Sequence, residues 1–395
     1  MTDIAIIGGC GHVGLPLGLA FARAGKHVVG LDIDTAKVAR TNAGVMPFYD
    51  KGADELLPKV LASGHFRCTD DPACLRDVKV VITVVGTPLD EHLNPRFEVY
   101  ADLIAADRTF LRPGQLLVLR STVYPGTTER ITHALQRAGV DVDIAFCPER
   151  VAEGVALEEI STLPQIVAGT TPRAQQRAEE LFRTLTSDVL PMQPLAAELT
   201  KLFNNTWRYI QFATANQFFM IANEYGLDFY DIHRAMTEKY PRAKAFPKAG
   251  FAAGPCLFKD TMQLATFDNN AFFLGHSAML VNEGLPNYLV RRAATRWPLR
   301  EMTVGIAGMT FKGDSDDPRE SLAFKLKKVL ERESNTVLCS DPHYQGAGFV
   351  GFDELVQRCD LIFIGTPHSV YKTADFKGKT VIDIWQITKG GISVV

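Results

Sequence analysis

Apolar residues in the first half of the chain fall into short β-branched runs separated by longer amphipathic stretches. Ile4–Ile7, Val28–Leu31, Val78–Val85, Leu116–Leu119 and Val142–Phe146 read as strands, and Leu15–Ala24 as a helix between the first two. Strands alternating with helices predict a parallel, doubly wound sheet over residues 1–190. From Pro194 to Tyr225 the pattern changes. Glycine and internal proline are absent, and Leu195, Leu199, Leu202, Phe203, Trp207, Ile210, Phe218 and Ile221 recur at helical spacing, which predicts one long helix stopped by Gly226. A second helical stretch, Ala271 through Trp297, contains Gly284 and Pro286, which should bend or split it. These helices define a middle region over residues 191–298. Its apolar and aromatic surface is expected to join two copies as a homodimer, although intramolecular packing would give the same pattern.

After Pro298 the strand–helix rhythm returns, with Val304–Ala307, Thr336–Cys339, Leu361–Gly365 and Val381–Ile384 as strands and Leu322–Glu331 as a helix. Residues 299–395 therefore form a second α/β domain. Val28-Val29-Gly30-Leu31-Asp32 is echoed by Val337-Leu338-Cys339-Ser340-Asp341, and Ile82–Pro88 by Ile362–Pro367, so both halves follow one plan.

Composition narrows the class. A chain of 395 residues has room for two or three domains. Hydrophobic residues make up 46%, charged residues 22%, and the formal net charge is −3, which excludes disorder and leaves no basic footprint for nucleic acid or a membrane surface. Met1–Gly9 runs into a strand without the cationic start of a secretory signal, and no apolar stretch is long enough to span a bilayer. Seven cysteines are scattered and never paired as CxxC, so neither a disulfide scaffold nor a metal site is expected. The cytoplasm is the expected compartment.

The first candidate site is Gly9-Cys10-Gly11-His12-Val13-Gly14, which follows the first strand and opens the first helix, with Asp32 at the end of the second strand. In that setting the glycines form a dinucleotide fingerprint: a tight turn, close approach of a pyrophosphate, and close helix packing, with phosphates at the positive helix end. Asp32 would accept hydrogen bonds from the adenosine ribose, and no arginine follows it directly, which favours NAD over NADP. His12 and Val13 in the loop and Lys37 nearby complete the cofactor candidates. The overall class is thus α/β: two Rossmann-like doubly wound parallel-sheet domains joined by a helical middle with a long central helix.

The second candidate is Cys256, in Gly250-Phe251-Ala252-Ala253-Gly254-Pro255-Cys256-Leu257-Phe258-Lys259-Asp260. Small residues permit close approach of a substrate, Lys259 would favour the thiolate, and Asp260 shares a helix face with Cys256 if a helix begins there. A single cysteine in such a segment also reads as an ordinary buried apolar residue, and the segment alone leaves both readings open.

Seven segments, taken in order, go further: Gly9–Pro16, Gly86-Thr87-Pro88, Ser121–Thr127, Pro148–Gly154, Glu198–Lys201 with Asn205, Cys256–Asp260, and Phe311-Lys312 through Arg319-Glu320-Ser321. Together they resemble the UDP-glucose/GDP-mannose dehydrogenase family. The resemblance implies NAD-dependent four-electron oxidation of the primary alcohol of a nucleotide sugar to the uronic acid, through a thiohemiacetal and a thioester on Cys256. By the same resemblance Lys201 faces the reacting oxygen with Asn205 as a neutral donor, and Thr122, Glu149 and Asp260 position and deprotonate waters. Glu153, Phe251, Gly254, Lys259, Phe311 and Lys312 are then substrate contacts, and Thr87, Thr122 and Arg319 cofactor contacts.

The match thins at the sugar. UDP-glucose relatives usually carry Gly-Gly-Ser where this chain has Ala253-Gly254-Pro255, and an acidic-aromatic pair where it has Thr366-Pro367-His368. Asn205-Thr206-Trp207-Arg208 resembles the branch that oxidises UDP-N-acetylhexosamines, whereas Lys259-Asp260 resembles the UDP-glucose branch. The family's late arginine is absent at Ile384-Trp385-Gln386. An amino sugar is the favoured substrate. The rival readings are a two-electron β-hydroxyacid dehydrogenase, which needs no cysteine, and a silent NAD-binding sensor.

Overall fold

A computed structural model describes residues 2–86, 90, 109–252 and 254–393. Contacts divide the chain into two compact units, Met1–Asn204 and Asn205–Val395. The first is built on β1 (Ile4–Ile7), β2 (Val28–Leu31), β3 (Phe66–Thr69), β4 (Val80–Thr83), β5 (Leu116–Leu119), β6 (Asp143–Phe146), β7 (Gln165–Gly169) and β8 (Val189–Pro191). They form one sheet in the order β3-β2-β1-β4-β5-β6-β7-β8. Among the described strands every pairing in it is parallel except β6 with β7. The helices are α1 (Gly14–Arg23), α2 (Thr35–Asn42), α3 (Ala53–Ala62), α4 (Thr127–Arg137), α5 (Ala156–Thr162) and α6 (Pro172–Phe182).

Strand side chains alternate between two apolar layers. Ile4 and Ile6 pack with Leu15, Leu19, Phe21 and Phe182 on one face, and Ala5 and Ile7 pack with Val29, Leu117, Leu119 and Ile144 on the other. Burial on both faces explains why these strands read as continuous apolar runs. The strand order reverses beside β1, between β2 and β4, and at such a reversal the strand ends leave a crevice for a ligand.

Helix α7 (Pro194–Glu224) is 31 residues long and carries the chain from the first unit into the second. The second unit continues with α8 (Phe229–Thr237), α9 (Leu257–Phe267), α10 (Phe273–Ala294), β9 (Thr303–Ala307), α11 (Leu322–Glu333), β10 (Thr336–Ser340), α12 (Phe352–Arg358), β11 (Leu361–Ile364) and β12 (Thr380–Ile382). Its sheet has the order β10-β9-β11-β12 with every pairing parallel. Gly284 and Pro286 do not split α10, which runs as one helix with Pro286 buried in its interior. Phe219 and Leu289 from the helices share an apolar cluster with Val304, Ile306 and Leu326 around the sheet. No helix of the described residues is long and apolar enough to cross a membrane.

Candidate active site

The glycine loop of the first unit is built by backbone contact. A Cβ at Gly9 would run into Gly30 of β2, and one at Gly14 into the carbonyl of Gly8. At Gly11 it would meet only the Gly8 oxygen, at 3.4 Å. The outer two glycines therefore serve packing, and the middle one leaves the backbone open to a close-lying group. No side chain caps α1 at Val13, so the helix start is suited to an anion. Asp32 Oδ2 accepts the N–H of Cys10 (2.9 Å) and Oδ1 that of Asp34 (3.1 Å), which fixes the carboxylate beside the loop. Each oxygen keeps acceptor capacity for a ribose hydroxyl.

The exposed ammonium of Lys37 lies 3.5 Å from Asp34, the N-cap of its own helix. The ring of His12 packs 4.1 Å from that of Phe48. Thr87 lies outside the described residues. Ile33, next to Asp32, is 97% exposed. An apolar side chain so placed offers a surface for a flat base, and the signal in the sequence was its position directly after the strand-ending acid.

At the ends of β5 and β6 lies a buried ion pair. Arg120, with no exposed surface, donates from Nε to Glu149 Oε2 (2.9 Å), and its Nη2 lies 2.6 Å from the same oxygen. It also reaches the carbonyl of Cys147, Gln165 Oε1 and the face of Phe182. The other oxygen of Glu149 accepts the N–H groups of Arg150 (2.6 Å) and Val151 (2.9 Å). The segment bearing Glu153 is clamped on both sides. Ala152 N–H donates to Glu159, Lys51 N–H to the carbonyl of Gly154, and the buried Asp50 accepts the first N–H groups of α5. Burial pushes the carboxyl of Asp50 above its ordinary range.

Glu198 explains the Glu198–Lys201 motif. It is buried and accepts the N–H of Gly126 (2.6 Å), the N–H of Thr128 (2.8 Å) and the Thr128 hydroxyl (2.6 Å), capping α4, whose N-cap Gly126 has no side chain. These bonds tie the part of α7 that carries the half-buried Lys201 to the loop that carries Thr122.

In the second unit Cys256 is exposed and stands as the N-cap of α9. A thiol at a helix N-terminus has its thiolate stabilised. Asp260, fully buried, accepts from Asn205 Nδ2 at 2.5 Å and pairs with Lys259 Nζ at 2.9 Å. Asn205, Lys259 and Asp260 are therefore brought together. The Asp260 N–H bonds to the carbonyl of Cys256, which places both residues on one face of the first turn. Phe251 is buried edge-on to Trp385, with ring centres 6.2 Å apart. Gly254 has φ 101° and lies under Phe311, whose ring would be 2.6 Å from a Cβ there. A cavity of about 410 Å³ adjoins this loop, lined by Ala252, Gly254, Phe258, Glu320, Lys325 and Lys328.

Lys312 is exposed, and Arg319 grips Asp317 two residues before it with Nε 2.9 Å from both oxygens. Asp314, His343 and His368 lie close enough together to suggest a metal cluster. However, His368 Nδ1 accepts the N–H of Asp314 (3.0 Å), which uses the lone pair a metal would need. Its Nε2–H then donates to Asp341 (3.0 Å), so this histidine clasps loops to one another.

Comparison with known proteins gives this geometry a context. Residues 2–186 match the NAD binding domain of the UDP-glucose/GDP-mannose dehydrogenase family, 195–283 its central domain and 305–390 its UDP binding domain. A UDP-N-acetyl-D-mannosamine dehydrogenase of Pyrococcus horikoshii is 30% identical over 95% of this chain and 91% of its own length. An NDP-N-acetyl-D-galactosaminuronic acid dehydrogenase of Ralstonia nicotianae is 26% identical over 95% of this chain and 94% of its own. A solved UDP-D-ManNAc dehydrogenase structure from Pyrococcus horikoshii superposes with a TM-score of 0.92 at 28% identity, covering 100% of this chain and 98% of that one. With its glycine loop and Asp32 shaped for NAD, and all three domains matched in order, the chain belongs to the UDP-glucose/GDP-mannose dehydrogenase family and is an NAD-dependent nucleotide-sugar dehydrogenase.

Proposed function

We propose that the protein oxidises the primary alcohol of a UDP-N-acetylhexosamine to the uronic acid in two successive two-electron steps, with Cys256 as the covalent carrier between them. The observation that carries this reading is the exposed thiol at the start of α9, one turn from a buried Asp260 held by Asn205 and Lys259. The choice of sugar rests on the names of the relatives and on Asn205-Thr206-Trp207-Arg208.

Gly9, Gly11, Val13 and Gly14 hold the cofactor's pyrophosphate and Asp32 its ribose, and the sequence and the family resemblance give His12, Lys37, Thr87, Thr122 and Arg319 as further cofactor contacts. NAD, when bound, accepts the hydride of each oxidation. Lys201 stabilises the alkoxide and later the oxyanion. The Cys256 thiolate adds to the aldehyde carbon, and the carbonyl π pair moves onto oxygen. Loss of the second hydride restores the C=O as a thioester, and water then displaces the sulfur. One alcohol, two NAD and one water thus give one carboxylate, two NADH and three protons. Asp260 serves the thiol chemistry, and Glu149 and Thr122 the hydrolysis. Glu153, Phe251, Gly254, Lys259, Phe311 and Lys312 contact the nucleotide sugar.

Residues 1–190, 191–298 and 299–395 act as cofactor, helical and nucleotide-binding parts, a division close to the three family matches. The working form is a homodimer joined through α7, on which Phe203, Trp207, Ile221 and Glu224's neighbour Tyr225 are all at least half exposed. None of the seven cysteines forms a disulfide, which fits a reducing compartment, the cytoplasm.

The test is stoichiometric. With NAD and UDP-N-acetylmannosamine, UDP-N-acetylglucosamine, UDP-N-acetylgalactosamine or UDP-glucose offered in turn, an N-acetylhexosamine donor should give two NADH per uronic acid. A ratio of one would favour the β-hydroxyacid type, and no NADH from any of them would favour the sensor.

A further inference from the structure

The loop from Gly250 to Cys256 is fastened at both ends. At the Gly254 end the backbone N–H donates to the carbonyl of Glu320 (3.2 Å) and the ring of Phe311 covers the glycine. At the Gly250 end a side chain does the fastening. Asn216 of α7, with no exposed surface, accepts the N–H of Gly250 on Oδ1 (2.8 Å) and donates from Nδ2 to the carbonyl of the same residue (3.0 Å). One amide thus pairs with both polar groups of one backbone unit. Its second Nδ2 hydrogen goes to Asn282 Oδ1 on α10 (2.9 Å), and Asn282, equally buried, donates in turn to the carbonyl of Tyr209 (3.0 Å). Gly250 itself has φ 156°, and a Cβ there would collide with the ring of Trp385.

These amides sit beside an apolar cluster of Phe251, Leu285, Tyr288 and Leu289. A satisfied buried hydrogen bond contributes little net stability, but an apolar side chain in place of Asn216 would strand the buried N–H and carbonyl of Gly250. What the amide adds is selectivity for one backbone placement. Capture of a diffusible aldehyde depends on that, because a displacement of the sulfur by about 1 Å can lower the rate by about a hundredfold.

We propose that Asn216 is a positioning residue for the covalent step: by clamping Gly250 against Trp385 it fixes the loop so that the Cys256 sulfur captures the aldehyde before the aldehyde leaves. The step is addition only, with a C–S bond formed, the carbonyl pair moved to oxygen and that oxygen protonated. Nothing is oxidised until the second hydride departs. This rests on the reading of Cys256 as nucleophile.

The test compares wild type, Asn216→Ala and the milder Asn282→Ala, assayed with NAD and the preferred nucleotide sugar in the presence of semicarbazide. For Asn216→Ala we expect the ratio of NADH to sugar consumed to fall from two towards one, with the missing product recovered as sugar semicarbazone. Its kcat should fall at least about tenfold while KM for the sugar stays within about twofold. Asn282→Ala should leak in the same sense but less. General loss of folded protein would lower the rate without changing the ratio or releasing aldehyde. A folded Asn216→Ala that keeps two NADH per sugar and yields no semicarbazone overturns the proposal. If Asn216→Ala does not fold, tight coupling in Asn282→Ala overturns it instead. A wild-type ratio of one, or no NADH at all, would bring down the underlying reading before either variant is considered.

Discussion

Asp32 and Asp341 end the second strand of their respective sheets, and the chain treats them in opposite ways. The surroundings begin alike: the N–H of Gly8 bonds to the carbonyl of Leu31, and that of Gly308 to the carbonyl of Ser340, both at 2.8 Å. Asp32 then takes one backbone N–H on each oxygen and remains half-buried. Asp341 is buried and takes five donors: Met309 N, Thr310 N and His368 Nε2 on Oδ2, and His343 N and Tyr344 N on Oδ1. In the first sheet α1 opens directly from the glycine loop. In the second, α11 starts only after the acid-rich stretch Asp314–Asp317. One strand-ending aspartate is left with capacity for a ribose, and the other is consumed by its own loops. Two sheets of one plan can therefore put the same strand-ending carboxylate to different uses, open to a ligand in the first and spent on holding loops in the second.

The strongest way to break the comparison is Asp341→Ala. Stranding five donors should destabilise the second unit by about 3–5 kcal/mol, read as a lower midpoint in denaturant or heat. A variant as stable as wild type would remove the contrast. Burial alone would raise the carboxyl of Asp341, but the hydrogen bonds from His368 and Met309 outweigh it and hold the group below its ordinary range. The sign follows: its folded form favours the carboxylate, so its stabilisation is complete above the unfolded value of about 4 and is lost as pH falls through the lower folded value. Acid unfolding monitored by circular dichroism should therefore begin below about pH 4 at this site, and Asp341→Ala should flatten that limb.

Asp32→Ala should leave the fold standing and raise KM for NAD by about ten- to a hundredfold, the equivalent of about 1.5–3 kcal/mol for hydrogen bonds to a charged group. An unchanged KM would mean that the ribose lies elsewhere. Ile33→Ser should have a smaller effect, about two- to fivefold on the same KM, from loss of apolar surface against the base. A rise in NAD affinity would contradict the place assigned to it.

Legibility in the sequence followed the same physics. Strands buried on both faces, such as Ile4–Ile7 and Leu116–Leu119, announce themselves as apolar runs. Phe66–Thr69 did not, because at the sheet edge Arg67 faces solvent and interrupts the run. Val78–Val85 read longer than the strand that forms, Val80–Thr83, because β-branched composition does not mark where pairing stops. Pro286 reads as a break, yet α10 continues through it.

At the candidate site, spacing marked the glycine loop because its chemistry is local, and the family resemblance marked the Cys256 segment. Partners far apart in sequence were not legible. The bond to Asp260 from Asn205, expected as a neutral donor beside Lys201, and the pairings of Arg120 with Glu149 and Asn216 with Gly250 all join different elements. One signal was present: Arg120 directly follows Leu116-Leu117-Val118-Leu119, and a cation at the end of a fully buried strand requires a buried partner.

The central claim is the covalent role of Cys256, and acid quenching during turnover tests it most directly. Protein mixed with NAD and a UDP-N-acetylhexosamine, stopped within the first turnovers and digested, should yield the Cys256 peptide heavier by the sugar acyl group, and Cys256→Ser should yield none. Steady accumulation of uronic acid with that peptide unmodified at every time point, or undiminished uronic acid from Cys256→Ser, would contradict the account.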